Sequence, residues 1–147
     1  MPENLKVDGK MNVHLISPTH TVLDGVADKV LLPTWQGNLM VLMDRAPLFT
    51  VTQNGAMWVY NKGSRPKCYL ISTGIAEIRR NICSVLAWGV DADEIDKDRI
   101  HMRLESAEQD LARVHSEIER AQVQDRVDFF KYLLDKPSLM VPPDFSG

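Results

Sequence analysis

The sequence is poor in the groupings of residues that carry chemistry. It has no phosphate-binding glycine loop, no dinucleotide turn and no nucleophile elbow. Its two cysteines, Cys68 and Cys83, stand in neither metal nor redox spacing and read as reduced, buried small hydrophobes. The four histidines, His14, His20, His101 and His115, are not spaced to share a metal, and no histidine or cysteine is paired with an orienting partner as a nucleophile requires. The expectation is a protein with no metal, no cofactor and no catalytic residue. No run approaches the roughly eighteen apolar residues of a membrane-spanning helix, and Met1 to Lys10 contains no apolar signal core. Membrane contact is therefore expected only through a larger assembly.

Charge of one sign is also scarce overall, with 17 Lys and Arg against 20 Asp and Glu. The balance is uneven along the chain. Residues 1–90 hold nine bases and six acids, whereas residues 91–136 hold eight bases and thirteen acids. Neither part is basic enough for nucleic acid to be a partner. The change near Asp91 predicts a domain boundary, giving a flexible extension over 1–11, a β domain over 12–90, a helical domain over 91–136 and a disordered Pro-rich tail over 137–147.

The β domain is announced by short apolar runs with turn residues every 8–12 positions. Strands are predicted at Val13–Ile16, His20–Leu23, Val26–Leu32, Leu39–Met43, Phe49–Thr52, Met57–Tyr60, Cys68–Ser72, Ile75–Arg79 and Ile82–Ala87. Asp24-Gly25 is expected to stop the second of them. The wholly apolar run Leu39–Met43 reads as a strand buried on both faces, ending in a polar tip at Asp44-Arg45 before Pro47. Asp93 is the expected N-cap of the first helix. Beyond it, Ile100, Leu104, Ala107, Leu111, Val114, Ile118 and Ala121 recur at spacings of four and three, a narrow seam suited to helix pairing. No Gly or Pro interrupts Asp93–Asp135, which favours one long helix, with a turn near His115-Ser116 as the alternative. Val127, Phe129, Phe130, Leu133 and Leu134 form a broader apolar patch. The acids Asp91, Asp93, Asp96 and Asp98 lack the glycine and closing Glu of a calcium loop and read as helix capping.

With these residues in place, the chain resembles the epsilon subunit of the F-type ATP synthase, called delta in mitochondria, from about Met11 to Leu134. Leu23-Asp24-Gly25-Val26-Ala27-Asp28-Lys29-Val30-Leu31-Leu32-Pro33 is similar to the family's hairpin F-S-G-x-V-E-x-V-x-x-P. Gly37-x-Leu39-x-Val41-Leu42 with Ala46-Pro47-Leu48-x-Thr50 resembles G-x-L-G-V-L-P-G-H-A-P-L-L-T. Tyr69-Leu70-x-Ser72-Thr73-Gly74-x-x-Glu77-Ile78 and Ser84-Val85-Leu86-Ala87 resemble Y-L-S-G-G-x-x-E-V and T-V-L-A.

The resemblance implies an all-β N-terminal sandwich of about ten strands followed by an α-helical C-terminal segment, either a hairpin or a long helix. It implies a non-catalytic rotor subunit on the cytoplasmic face of a bacterial inner membrane. Such a subunit binds gamma and rests on the c-ring, and its helices reach towards alpha and beta. The ring-facing positions would be Asn38, Asp44, Arg45, Ala46 and Pro47, where Met43-Asp44-Arg45 replaces the family's P-G-H and places an ion pair at the tip. Some members bind ATP through I-D-x-x-R-A; Ile95, Asp96 and Arg99 match that motif here, Ile100 replaces its alanine, and Ser106, Phe129 and Leu133 stand where further arginines are expected. Excess acid over 91–136 predicts weak inhibition of hydrolysis by the helices, unless Arg113, Arg120 and Arg126 share a face. The competing reading is an unrelated β-sandwich with a coiled-coil arm, acting as an adaptor or homodimer.

Overall fold

A computed structural model describes residues 9–136 and 140–143. Ten strands run in order: β1 (Met11–Ile16), β2 (Thr21–Ala27), β3 (Lys29–Thr34), β4 (Gly37–Leu42), β5 (Leu48–Thr52), β6 (Gly55–Tyr60), β7 (Lys67–Ile71), β8 (Gly74–Arg79), β9 (Ile82–Leu86) and β10 (Gly89–Asp91). Two helices follow, α1 (Lys97–Arg113) and α2 (Glu117–Asp135). The predicted extension and tail fall largely outside the described residues. Met11 is the buried first residue of β1.

The strands form two layers. One follows the order β5-β8-β9-β1-β2, and the other β10-β7-β6-β3 with β4 paired to β3. All the ladders are antiparallel except β1 beside β9. Period-two alternation sends Val13, Leu15, Val30, Leu32, Val41, Ile71, Ile78 and Val85 between the layers, where each is at most 2% exposed. A second apolar cluster lies on the other side of the β3-β6-β7 layer. There Leu31, Trp58, Cys68 and Leu70 meet Ile100, Ala107, Val127, Phe129, Phe130 and Leu133 of the helices. The middle layer is thus buried on both faces.

Three expectations change. The doubly buried strand is β3, in which Val30 to Thr34 are all buried, and not the run at Leu39–Met43. Strand β4 is an edge with only Val41 fully buried, and Leu42 is 53% exposed. Asp24-Gly25 does not stop β2. Gly25 pairs with Val13 in extended form, and the Asp24 carboxylate lies 3.1 Å from His14 Nδ1, so the chain turns later, at Asp28. The tenth strand, β10, adds to β7 where only a boundary was expected.

The helical segment is a hairpin, and its breaks are made by caps. The Asp91 carboxylate accepts from the Asp93 N–H at the start of a 3-10 turn over Ala92–Glu94. Asp96, not Asp93, caps α1 by accepting from the N–H groups of Asp98 and Arg99. After Arg113 the backbone becomes extended at Val114, and the Ser116 hydroxyl accepts from the Glu119 N–H to begin α2. Reversal takes Ile118 out of the seam and leaves it 75% exposed. It also separates Arg113 from Arg120, which now sit on different helices. Arg126 is engaged by Asp110 across the hairpin at 3.0 Å.

The linker into the hairpin is pinned by Lys67, whose ammonium lies 2.7 Å from the Asp91 carboxylate and 3.9 Å from that of Asp93. On the other flank of the β6–β7 loop, the Asp28 carboxylate accepts from the Lys62 N–H at 2.6 Å and lies 3.0 Å from Lys10 Nζ. The Lys62 hydrogen bond and then Lys10 hold this carboxyl below its ordinary pKa of 3.8. A depressed folded-state pKa stabilises fully above the unfolded value and loses that stabilisation as pH falls through the folded one. Asp28→Asn should therefore lie below wild type in stability at neutral pH. Urea unfolding should show that gap closing between about pH 5 and pH 2.

Candidate docking surfaces

The residues with chemical potential are accounted for by structure. Cys68 and Cys83 are free and buried, and burial pushes both thiols up to about 12, far from a nucleophilic thiolate at neutral pH. His14 faces Asp24, and the His20 ring lies within hydrogen-bond reach of the hydroxyls of Thr19 and Ser17. The surfaces of interest are ones that would meet other macromolecules.

Among the described residues, no helix packs across the outer face of the β5-β8-β9-β1 layer; α2 borders it at one side, where Gln122, Val123, Asp125 and Arg126 line a cavity of about 570 Å³ with Ile16 and Leu86. On this outer face the register aligns Val51 with Ile75, Ile75 with Leu86, and Leu86 with Ile16, so one apolar row crosses four strands. Val51, Ile75, Leu86 and Ile16 are 44, 39, 53 and 38% exposed. Trp35, whose N–H donates to the Val51 carbonyl at 3.1 Å, extends the row at 59% exposed, and Phe49 stands beside it at 65%. The neighbouring row begins with Phe49 opposite Glu77 and is polar from there on, with Glu77 opposite Ser84, Ser84 opposite His14, and His14 opposite Asp24. A contiguous apolar stripe with a polar border marks a site for another protein surface.

Sequence reading missed this row, although β5 held a signal. Its apolar residues Phe49 and Val51 point outward, while Thr52 is fully buried and donates its hydroxyl to the Ser72 carbonyl at 3.0 Å. The alternation was legible, but one strand does not reveal which of its faces is inside.

The five positions expected to face a ring do not form a compact site. Asn38 lies at the start of β4, beside the hairpin turned by Gly37 at φ +106°. Asp44, Arg45, Ala46 and Pro47 lie beyond the other end, roughly 20 Å away at about 3.3 Å per residue. What joins them is the β4 edge, whose partner among the described strands is β3.

The expected Asp44–Arg45 ion pair is not present; the two side chains have different partners. Asp44 adopts φ +60°, donates its N–H to Asn81 Oδ1 at 2.7 Å, and accepts from Asn81 Nδ2 at 3.2 Å. Half-buried Arg45 donates to the Ala46 carbonyl at 3.2 Å. Asn81 is itself left-handed, as is Arg80, in the two-residue turn between β8 and β9. Lys10, Lys62 and Arg80 join Arg45 at this end of the sandwich and outnumber its acids Asp28 and Asp44.

Ile95, Asp96 and Arg99 line a cleft of about 460 Å³ between β2, β10 and the helices. Arg103 adds a second guanidinium one turn further along α1, and His20 faces in from the β1–β2 loop. Acids balance them, since Asp91 and Glu94 share the lining and the Asp96 carboxylate is occupied as the helix cap.

The architecture defines a docking module, a two-layer β-sandwich with one face covered by a helical hairpin and the other open. Residues 10–91 match the family described as ATP synthase, Delta/Epsilon chain, beta-sandwich domain. An ATP synthase epsilon chain of Gloeobacter violaceus is 34% identical over 119 residues, covering 80% of this chain and 89% of its own. One of Rhizobium johnstonii is 30% identical over 108 residues, covering 73% and 78%. In fold, the chain is similar to a chain in the Euglena gracilis mitochondrial ATP synthase structure of OSCP, F1 and c-ring (TM-score 0.58, 20% identity, 87% of this chain and 81% of that one). The chain belongs to the delta/epsilon family of ATP synthase subunits, a non-catalytic and peripheral component of that membrane complex. An unrelated adaptor is thereby set aside.

The Asn81 clamp on the β4–β5 tip should matter independently of any partner. Asn81→Ala removes two hydrogen bonds and places alanine in the left-handed region, at a cost of about 1–2 kcal/mol. Urea unfolding should register that loss, and amide exchange should rise at Met43–Ala46.

Proposed function

We propose that this chain is a central-stalk subunit of a bacterial F-type ATP synthase on the cytoplasmic face of the inner membrane. It binds the gamma shaft through the apolar row and rests on the c-ring along the β4 edge. The observation that carries this reading is the stripe Trp35, Val51, Ile75, Leu86 and Ile16, left substantially exposed on a sandwich whose other outer face is packed against its own helices. Family membership supplies the class of partner, and apolar area supplies the affinity. The two-layer core suits torque transfer, because close-packed interiors deform little under load.

The β4 edge suits a broad, polar surface. Asn38 at one end and Asp44, Arg45, Ala46 and Pro47 at the other would touch polar loops of the ring, and the basic end adds attraction for acidic groups or carbonyls there. The helices, with their excess of acid and with Arg126 already engaged by Asp110, are poorly matched to an acidic surface on the alpha and beta subunits, and weak inhibition of hydrolysis follows.

Leu86→Asp should cut capture of the gamma subunit by at least roughly thirtyfold, as loss of a central apolar anchor does, with little change in the unfolding midpoint of the isolated chain. Arg45→Glu should leave gamma capture intact and weaken assembly on the ring. Unchanged gamma capture by Leu86→Asp would remove the apolar row from the reading.

For the cleft at Ile95, Asp96 and Arg99 we propose a structural role, with Asp96 spent on the cap and the arginines balanced by neighbouring acids. A phosphate needs several converging donors without competing carboxylates, so calorimetric titration should give a dissociation constant for ATP of roughly millimolar or weaker.

A further inference from the structure

We propose that Met140–Pro143 is a strap that fastens the helical hairpin to the sandwich and sets how readily the hairpin leaves it. The segment lies against the sheet face that the helices also cover. Met140 is half-buried in the cluster formed by Trp58, Cys68, Phe130 and Leu133. With Pro142 it borders a small cavity of about 150 Å³ between Trp58, the β6–β7 loop at Arg65, Ala92 of the linker and Lys136 at the end of α2. Pro143 is held by the Tyr60 hydroxyl, which donates to its carbonyl at 3.0 Å, and the Tyr60 ring is itself fixed beneath Lys29 Nζ at 5.2 Å from its centroid. Val141 points the other way and is 72% exposed.

This arrangement gives the hairpin two anchors on the sandwich. The first is the linker, where β10 pairs with β7 and Lys67 holds Asp91. The second is the strap on β6. Four Cα–Cα steps separate Lys136 from Met140, so the end of α2 can move no more than roughly 14 Å from the strap while the strap stays docked. A hairpin swinging off the sheet must first detach it. Adjacent prolines suit a detachable element. They offer no N–H groups to a ladder, so the segment holds by side-chain contact and one carbonyl, and their restricted backbone limits the entropy lost on docking.

The test is amide hydrogen exchange on the isolated chain, together with acrylamide quenching in a Trp35→Phe, Trp88→Phe background that leaves Trp58 as the sole tryptophan. It requires no partner subunit and stands apart from the stalk assignment. Ending the chain at Lys136 should raise exchange in Val127–Asp135 by about tenfold or more and make Trp58 accessible to quencher, while β1, β8 and β9 keep their protection. Tyr60→Phe, which keeps the ring and the fold, should shift exchange in α2 in the same direction by roughly two- to tenfold. The strap is overturned if α2 and Trp58 respond to neither change. It is equally overturned if protection falls uniformly across α2 and the distant strands, because the tail would then be only a general stabiliser.

Discussion

The structure depends on the burial of one β layer from both sides. In β3, β6 and β7, alternate residues face the opposing sheet, and those between them face the helices. Val30 and Leu32 point one way and Leu31 the other; Met57 and Val59 point inward while Trp58 meets the hairpin. Such strands cannot alternate polar and apolar residues, and they read as continuous hydrophobic runs. The hairpin is consequently part of the protein's apolar burial, although it is joined to the sandwich by a short linker. Taking it away would uncover Leu31, Trp58, Cys68 and Leu70 together.

That requirement explains which features the sequence made legible. Strand content, the change of period near Asp91 and the apolar patch at Val127–Leu133 follow from local spacing, which reports burial directly. The error at Leu39–Met43 has the same origin, because an apolar run also arises in an edge strand whose outer residues stay exposed, as Leu42 does. The hairpin break was present in Ser116-Glu117-Ile118-Glu119, a serine followed three residues later by glutamate, and was outweighed by the absence of Gly and Pro. The Asp24-Gly25 turn signal gave way to tertiary pairing, since His14 and Val13 hold those two residues in a ladder. The separation of Asn38 from Asp44 needed only the length of β4, but the family motif presents them as one string.

The two outer faces divide the work. The helices seal one with aromatic and aliphatic side chains, and the other keeps an apolar row in water. The uncovered row carries a modest cost in solubility, moderated by the border of Glu77, Ser84, His14 and Asp24. The basic end continues the β4 edge at Arg45, while the apolar row lies on the outer face of the other layer.

The lone parallel pairing, β1 beside β9, has a consequence for biogenesis. Ile16 and Leu86 are neighbours in space but about seventy residues apart in the chain, so their pairing carries a loop-closure cost that the local hairpins do not. Residues from β5, β8, β9 and β1 all contribute to the apolar row, which is incomplete until β9 has been synthesised and has captured β1. A nascent or truncated chain therefore lacks a finished adhesive surface. Under the proposed docking role, only a chain that has closed its sheet presents the complete stripe.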